Sequence, residues 1–172
     1  MMPTLFEDYD PKTAIFPPCM TYRYTLTREW ADGQCVVWMM LNPSTATAEI
    51  EDPTIRRCIG FSKLWGYGRL IVLNLFGLRS TDPRGLAQFA DPVGLDNDFH
   101  IGRSLGQAGE IICAWGCRQH LKASPVLSGR PAAVVKMIPS GIPVMCLGYR
   151  SDGAPRHPLM VPYTAPRVPF NL

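Results

Sequence analysis

The sequence lacks the features that would place it at once among membrane, dinucleotide-binding or metal-binding proteins. No apolar run approaches the ~18 residues that a membrane-spanning helix needs. There is no Cys-x-x-Cys pair and no glycine-rich phosphate loop of the dinucleotide type. No two carboxylates can be placed face to face as an acid–base pair. We therefore expect no membrane contact, no cofactor and no metal.

Cysteine is present, but its placement indicates small apolar side chains in a core. Cys35, Cys113 and Cys146 lie inside apolar runs, where a free thiol packs as a small hydrophobe. The spacing of Cys113 and Cys117 is only a weak metal signal. Acidic residues near the start stand where the apolar core of a signal peptide would lie. These features predict a reducing, cytoplasmic location.

Length and composition predict a single globular domain. The 172 residues can bury a sizeable core, and a hydrophobic fraction of 47% is ordinary for a soluble protein. A formal net charge of +3 permits an anionic partner without demanding one. The 17 prolines collect at the two ends of the chain. We expect residues 1–19 to form an extended arm and residues 160–172 a proline-rich extended tail.

Four apolar runs of strand length are followed by, or end on, turn-forming or polar residues. Such runs are typical of strands buried on both faces of a parallel sheet. They are Cys35–Leu41 before Asn42-Pro43-Ser44-Thr45, Arg69–Phe76 with Asn74, Glu110–Gly116 with Trp115-Gly116, and Pro143–Gly148. An alternating stretch at 22–28 predicts a half-exposed strand, and the turn at 31–34 predicts its hairpin with the run at 35–41.

Helical segments separate these strands. Asp52 and Pro53 form an N-cap and first-turn pair for a helix over about 53–65, and Asn97 or Asp98 can begin a second that reaches about 107. Shorter helices are predicted at about 117–123 and 131–138. The alternation predicts an α/β fold: a three-layer α/β/α sandwich around a mainly parallel sheet of about four strands plus the N-terminal hairpin strand.

The carboxyl ends of these strands should share one edge, where open α/β sheets bind ligands. An asparagine amide there can hold water or read a nucleobase edge, and a histidine can act as acid, base or donor. Each also has a structural reading: the asparagines can end strands, Trp115 can belong to the core, and His157 can lie in a solvated loop. The candidate residues are Asn42, Pro43, Ser44, Asn74, Trp115, Gly116 and His157.

Charged residues near this edge suit an anionic ligand. Arg56, Arg57, Arg79 and Arg156 are the predicted phosphate contacts, and Asp52 is a candidate assistant in catalysis. The alternative is that Arg56 and Arg57 belong to the solvated face of the first helix.

A series of short motifs runs through the chain. They are Leu41-Asn42-Pro43-Ser44-Thr45-Ala46, Glu51–Cys58, Val72–Phe76 with Arg79, Pro92-Val93-Gly94 with Asn97-Asp98, Ala114-Trp115-Gly116, and Gly153 with His157-Pro158-Leu159. Together they resemble an uncharacterised bacterial and phage family, domain of unknown function 1643. The resemblance covers about residues 22–163 and implies no activity.

The order of motifs is also similar, more distantly, to the uracil-DNA glycosylase superfamily, an α/β/α sandwich with a short parallel sheet. Asn42-Pro43 resembles a motif whose asparagine positions the attacking water. Asn74 resembles the asparagine that reads the flipped base, and His157-Pro158 the motif whose histidine stabilises the departing base. Two positions differ: Ser44 stands where glycine is usual, and Leu159 replaces a serine-proline that clamps the DNA backbone.

Three functional hypotheses are open at this point. In the first, an enzyme cleaves the N-glycosidic bond of a uracil-like or modified base, with Asn42 holding water, Asn74 reading the base and His157 donating to the leaving anion. In the second, a nucleotide or nucleic-acid binding module keeps the pocket without turnover, as Ser44 and Leu159 favour. The third is a different base-modifying reaction in a phage–host setting.

Overall fold

A seven-stranded mixed sheet forms the centre of the protein in a computed structural model that describes residues 12–116 and 118–171. The strands are β1 (Lys12–Ile15), β2 (Thr25–Glu29), β3 (Cys35–Met40), β4 (Arg69–Asn74), β5 (Glu110–Cys113), β6 (Val144–Cys146) and β7 (Val168–Pro169). They lie in the order β1-β2-β4-β3-β5-β6-β7, and β4, β3, β5 and β6 are parallel. The α/β class is confirmed, but the sheet is larger than predicted.

The predicted hairpin between β2 and β3 is wrong, because β4 lies between these two strands. β2 pairs with β4 antiparallel, with Leu26 opposite Val72, and β3 pairs with the other edge of β4 in parallel. β3 is buried along its whole length, so it gains most from a central position with a neighbour on each side. The turn after β2 instead packs against the start of β4, where Trp30 N–H donates to the Gly68 carbonyl at 3.0 Å.

The two ends of the described chain contribute edge strands that the sequence did not indicate. The predicted arm at 1–19 begins in residues 1–11, which lie outside the described residues, and its remainder contains β1, paired antiparallel with β2. The predicted extended tail contains β7, which pairs with β6 through Cys146 and Val168. Short strands with little apolar character leave no period to detect, so only their neighbours reveal them.

Three α-helices connect or flank the strands: α1 (Pro53–Leu64), α2 (Asn97–Leu105) and α3 (Pro125–Val135). Short 3-10 helices lie at Pro83–Gln88, Gln119–Ala123 and Pro158–Met160. The prediction for α1 is confirmed to within a residue. The helix predicted at 131–138 begins earlier, because the Ser124 side chain accepts from Leu127 N–H and caps it. The helix predicted at 117–123 is the 3-10 helix at Gln119–Ala123, and Cys117 lies outside the described residues.

Helices cover both faces of the sheet. Side chains alternate along a strand, so Val36, Trp38 and Met40 of β3 pack with α1 on one face. Val37 and Met39 pack with α2 and α3 on the other. The indole Nε1–H of Trp38 donates to Ser62 Oγ at 3.0 Å, which satisfies the polar group of a fully buried ring. The continuous apolar run of β3 is thus explained by burial on both sides.

Gly68 and Gly129 provide a matched test of this packing. A Cβ on Gly68 would lie 2.2 Å from the Ala31 carbonyl oxygen, and both groups are backbone, so Gly68→Ala should destabilise the fold by about 1–3 kcal/mol. Gly129 is exposed in α3 with open space around it, so Gly129→Ala should stabilise by up to about 1 kcal/mol. Urea unfolding measures both, and equal stabilities would contradict the tight turn at Gly68.

Candidate functional site

A cavity of about 350 Å³ opens at the carboxyl ends of the parallel strands. In the sheet these strands run β4-β3-β5-β6, so the chain leaves β3 toward one neighbour and later returns to its other side. Open α/β sheets bind ligands where the strand order reverses in this way. The predicted site residues that line the cavity are Asn42, Ser44, Asp52, Asn74, Trp115, Gly116 and His157. Residues far apart in sequence therefore meet in one hollow.

Asn42 comes two residues after β3, and its side chain is fixed by the surrounding loops. Nδ2 donates to the Ser80 carbonyl at 2.8 Å and to the Pro43 carbonyl at 3.2 Å. These bonds use both amide hydrogens, so the acceptor Oδ1 is the group left for water or a ligand. Pro43 is buried and does not line the cavity, and its carbonyl also accepts from Ser80 N–H at 2.9 Å. Its role here is to hold the loop.

Asp52 caps α1 and forms part of the same wall. Oδ1 accepts from Ile55 N–H at 2.9 Å, which is the N-cap bond that the Asp-Pro pair predicts. The cap uses one carboxylate oxygen and leaves Oδ2 as a further acceptor. Among the described residues that line the cavity, Asp52 is the only carboxylate. Any proton accepted from a bound water by a carboxylate would go to this residue.

Asn74 ends β4 and is 1% exposed. Within the described structure its Nδ2 is buried without a hydrogen-bond partner, although the residue lines the cavity. An unpaired buried donor costs about 1–3 kcal/mol, and an acceptor that enters the cavity would remove this cost. The backbone around it is held by Asn97 Nδ2, which donates to the Asn74 carbonyl at 3.2 Å, and by Arg130 Nε, which donates to the Leu75 carbonyl at 2.6 Å. These bonds position the Asn74 amide.

Gly116 and His157 pack directly against each other at the end of β5. Gly116 has a φ of +87°, and a Cβ on it would lie 2.9 Å from the His157 Cβ. Glycine is therefore required by the backbone conformation and by the contact with the histidine. Gly116 N–H also donates to the Pro155 carbonyl at 3.0 Å. This bond brings the His157 segment to the strand end although it comes some forty residues later in the chain.

The protonation state of His157 follows from its contacts. Nδ1 accepts from Leu159 N–H at 3.2 Å, so the hydrogen of the neutral ring is on Nε2. Burial lowers the pKa of His157, and the negative charge of Asp52 opposes this only in part. The imidazole is therefore neutral near pH 7 and offers Nε2–H as a donor.

The four arginines assigned to phosphate by the sequence do not line the cavity. Each donates to backbone carbonyls: Arg56 to Glu51, Arg57 to Pro158 and Val161, Arg79 to Met20, and Arg156 to Tyr149. The Arg57 guanidinium also lies 3.7 Å from the Tyr163 ring centre. Arg156 is exposed beside a smaller hollow that it shares with His157. The first three therefore brace loops, whereas Arg156 lies next to the cavity.

Three basic residues that do line the cavity escaped the sequence reasoning: Arg23, His120 and Arg150. Arg23 belongs to the stretch predicted to be half exposed, yet only 2% of it is exposed. The loop between β3 and α1 covers it, and the Ala46 carbonyl accepts from its Nη1 at 2.8 Å. Because the cover comes from 23 positions away in sequence, no local pattern signals it.

No metal centre or membrane helix accompanies this cavity in the part of the chain that the structure describes. Over residues 12–116 and 118–171, no three or more His, Cys, Asp and Glu side chains are grouped to hold a metal ion. No helix within those ranges is long and apolar enough to cross a membrane. Burial raises the pKa of Cys35 to about 11, so its thiol stays protonated.

His157 predicts a pH dependence of stability that can be measured. Because burial lowers its pKa, the unfolded chain binds a proton at a higher pH than the folded protein, so stability is lost as pH falls below about 6.5. His157→Asn keeps an acceptor for Leu159 N–H but does not titrate. Urea unfolding between about pH 7.5 and about pH 5 should therefore show a smaller loss of stability in the variant. An equal loss in both proteins would contradict a neutral, half-buried His157.

The chain matches the family model described as Protein of unknown function (DUF1643) over residues 23–159. No curated protein matches the chain, and no solved structure matches it. The matched span includes every predicted residue that lines the cavity, from Asn42 to His157. The chain therefore belongs to the DUF1643 family of proteins of unknown function.

Proposed function

We propose that the cavity binds a uracil-like or modified nucleobase and that the protein hydrolyses its N-glycosidic bond. The observation that carries this proposal is the convergence of Asn42, Asp52, Asn74 and His157 on one cavity. They supply acceptors for a water, an amide for the edge of a base and a donor for a leaving group. Hydrolysis of an N-glycosidic bond needs these three kinds of group.

Recognition of the base falls to Asn74 and Trp115. The unpaired Nδ2 of Asn74 can donate to a carbonyl of the base, and its Oδ1 can accept from a ring N–H. This pairing suits a uracil-like edge, which alternates carbonyl acceptors with an N–H donor. Trp115 lines the same cavity and offers aromatic surface to the base. A volume of about 350 Å³ is typical of small-molecule sites.

The attacking water is held between Oδ1 of Asn42 and Oδ2 of Asp52. It attacks C1′ of the sugar as the C1′–N bond breaks, the electron pair of that bond leaves with the base, and a water proton passes to the Asp52 carboxylate. The transition state resembles an oxocarbenium ion, so a strong base is not required. The Asp52 carboxylate also stabilises the positive charge that develops on the sugar.

His157 stabilises the departing base as a neutral donor. Its Nδ1 accepts from Leu159 N–H, so Nε2–H is the donor that remains for a ligand. A donor that is in place before the reaction stabilises negative charge as it develops, without reorganisation at that moment. Because burial lowers the pKa of His157, this donor is present as a neutral ring near pH 7.

Hydrolysis is tested with oligonucleotides that contain uracil or a hypermodified base, followed by alkali to cut abasic sites. We expect the wild type to cut and Asn42→Ala to be about 10²–10³-fold slower with binding retained, because the water loses an acceptor. Asn171→Ala removes an amide side chain outside this cavity and serves as the matched control. Thermal unfolding of both variants checks that the fold survives loss of the Asn42–Ser80 bond.

One outcome would count against hydrolysis, and a second would count against the role assigned to Asn42. If the wild type cuts neither uracil-containing nor hypermodified DNA, only the binding function remains. If Asn42→Ala cuts as fast as the wild type, Asn42 does not hold the water.

The second candidate function is a nucleotide or nucleic-acid binding module without turnover. Ser44 favours it, because its side chain lines the cavity at a position where the glycosylases that the chain resembles have glycine. Leu159 is 48% exposed and has no hydroxyl to donate to a DNA backbone. Beside these residues, Arg150 and Arg156 border the smaller hollow that adjoins the cavity. A positively charged border of this kind suits a phosphate backbone.

Fluorescence anisotropy of labelled single-stranded and duplex DNA at increasing salt tests the phosphate contacts. We expect the double variant Arg150→Gln/Arg156→Gln to bind more weakly and to reduce the slope of log K against log salt by about 2. Arg103→Gln, on the exposed side of α2, should leave both quantities unchanged. A salt-independent affinity in the wild type would exclude the phosphate contacts.

A further inference from the structure

Arg23 lines the cavity and forms no salt bridge with a carboxylate of the described residues. Three arginines are buried in the described ranges: Arg23, Arg28 and Arg130. Arg28 pairs with the Glu51 carboxylate at 3.3 Å, and Arg130 pairs with Asp98. Arg23 forms no such ion pair among the described residues, and it is the one of the three that lines the cavity.

The hydrogen bonds of Arg23 are also incomplete. Nη1 donates to the Ala46 carbonyl at 2.8 Å, whereas Nε is buried and finds no partner among the described residues. Burial lowers the pKa of Arg23 to about 10, with Asp52 opposing this change and Arg79 and Arg28 adding to it. A buried cation is normally paired, because loss of its hydration is otherwise uncompensated. The hydrogen bond to the Ala46 carbonyl needs an N–H donor but does not need the positive charge of Arg23.

The same cavity has a second donor in excess, the unpaired Nδ2 of Asn74. Two arginines line the cavity, Arg23 and Arg150, whereas Asp52 is the only carboxylate among the described lining residues and one of its oxygens already caps α1. A ligand that completes this set must bring acceptor atoms and negative charge. A neutral hydrocarbon surface would leave both donors unsatisfied.

We propose that the ligand of this cavity is anionic and places an oxyanion beside Arg23. The oxyanion belongs either to a phosphate ester of a nucleotide or to the nucleobase itself, since both present oxygen acceptors with negative charge. This inference deepens the proposed function and rests on it only in taking this cavity as the binding site. It holds whether or not a glycosidic bond is cut.

Thermal shift and calorimetric titration of the full-length protein test the ligand class with four probes. They are inorganic phosphate, deoxyuridine, deoxyuridine 5′-monophosphate and uracil-6-carboxylate. Because a ligand of the folded state raises Tm, we expect at least one anionic probe to stabilise the wild type more than neutral deoxyuridine does. Stabilisation by the two phosphates identifies a phosphate as the source, and stabilisation by the carboxylate alone identifies the base.

Variants of Arg23 show whether this residue carries the selectivity. Arg23→Met should bind the stabilising anion at least about tenfold more weakly and should be no less stable than the wild type without ligand, because an uncompensated charge is removed. Arg28→Met, which leaves Glu51 without its partner, should lower Tm. Arg103→Met, on the exposed side of α2, is the control for binding.

The inference is overturned if deoxyuridine and the anions stabilise the wild type equally, if no probe binds, or if Arg23→Met keeps full anion affinity. A large loss of stability in Arg23→Met would assign the residue to tethering the Ala46 loop, unless Arg23→Gln, which can donate to a carbonyl without carrying a charge, restores stability while anion binding stays weakened. Arg23-dependent anion binding without DNA cleavage would remove only the proposed hydrolysis. Cleavage without anion selectivity would remove only this inference.

Discussion

The parallel pairing of β3 with a neighbour on each side is the constraint on which the site depends. Its register places Met40 opposite Asn74 on one side and Met39 opposite Cys113 on the other. Asn42 therefore leaves the sheet at the same edge as the ends of β4 and β5. A slip of one residue would turn Asn74 to the opposite face, because side chains alternate along a strand. β3 specifies its own central place, since a strand with no polar face is stable only when it is covered on both sides.

The irregular segments of the site are held by guanidinium groups that donate to backbone carbonyls. The loop between β3 and α1 contributes cavity residues, and some of its carbonyls accept from side chains instead of from a neighbouring strand. Arg23 donates to the Ala46 carbonyl and Arg28 to the Thr47 carbonyl at 2.6 Å. Arg130 does the same for the Leu75 carbonyl beyond β4. One arginine carries five N–H groups, so it can satisfy several loop carbonyls from one position. Arg56, Arg57 and Arg79, predicted as phosphate contacts, likewise donate to backbone carbonyls.

Local signals predicted the strands β3 to β6, helix α1 and seven of the residues that line the cavity. Apolar runs, the Asp-Pro cap and polar residues at strand ends are patterns of adjacent positions. From them the sequence predicted that Asn42 and Asn74 lie at the same edge of the sheet. The cap of α3 has the same form, Ser124 before Pro125, but the helix was predicted to begin only at about 131. The partner of β2 and the burial of Arg23 could not be predicted in this way. Both depend on segments distant in the sequence, and an alternating strand does not show what covers its polar face.

The charge pattern of the cavity also limits how the proposed reaction can proceed. In that proposal, water is activated by Asn42, which follows β3, and by Asp52, which caps α1. The groups that would face the departing base, Asn74 and His157, end β4 and follow β6. The N–H of a neutral imidazole interacts more strongly with the developing anion than with the neutral substrate. It therefore stabilises the transition state more than the bound substrate, which favours bond cleavage. A permanent cation at Arg23 makes no such distinction, because it attracts an anionic group before and after the reaction. If its oxyanion were the released base, product would be held and its release would slow turnover. If it were a phosphate that stays attached to the sugar, the charge would anchor substrate without holding the base. Efficient hydrolysis is therefore more compatible with a phosphate at Arg23. An anionic base at Arg23 would instead be bound tightly and released slowly.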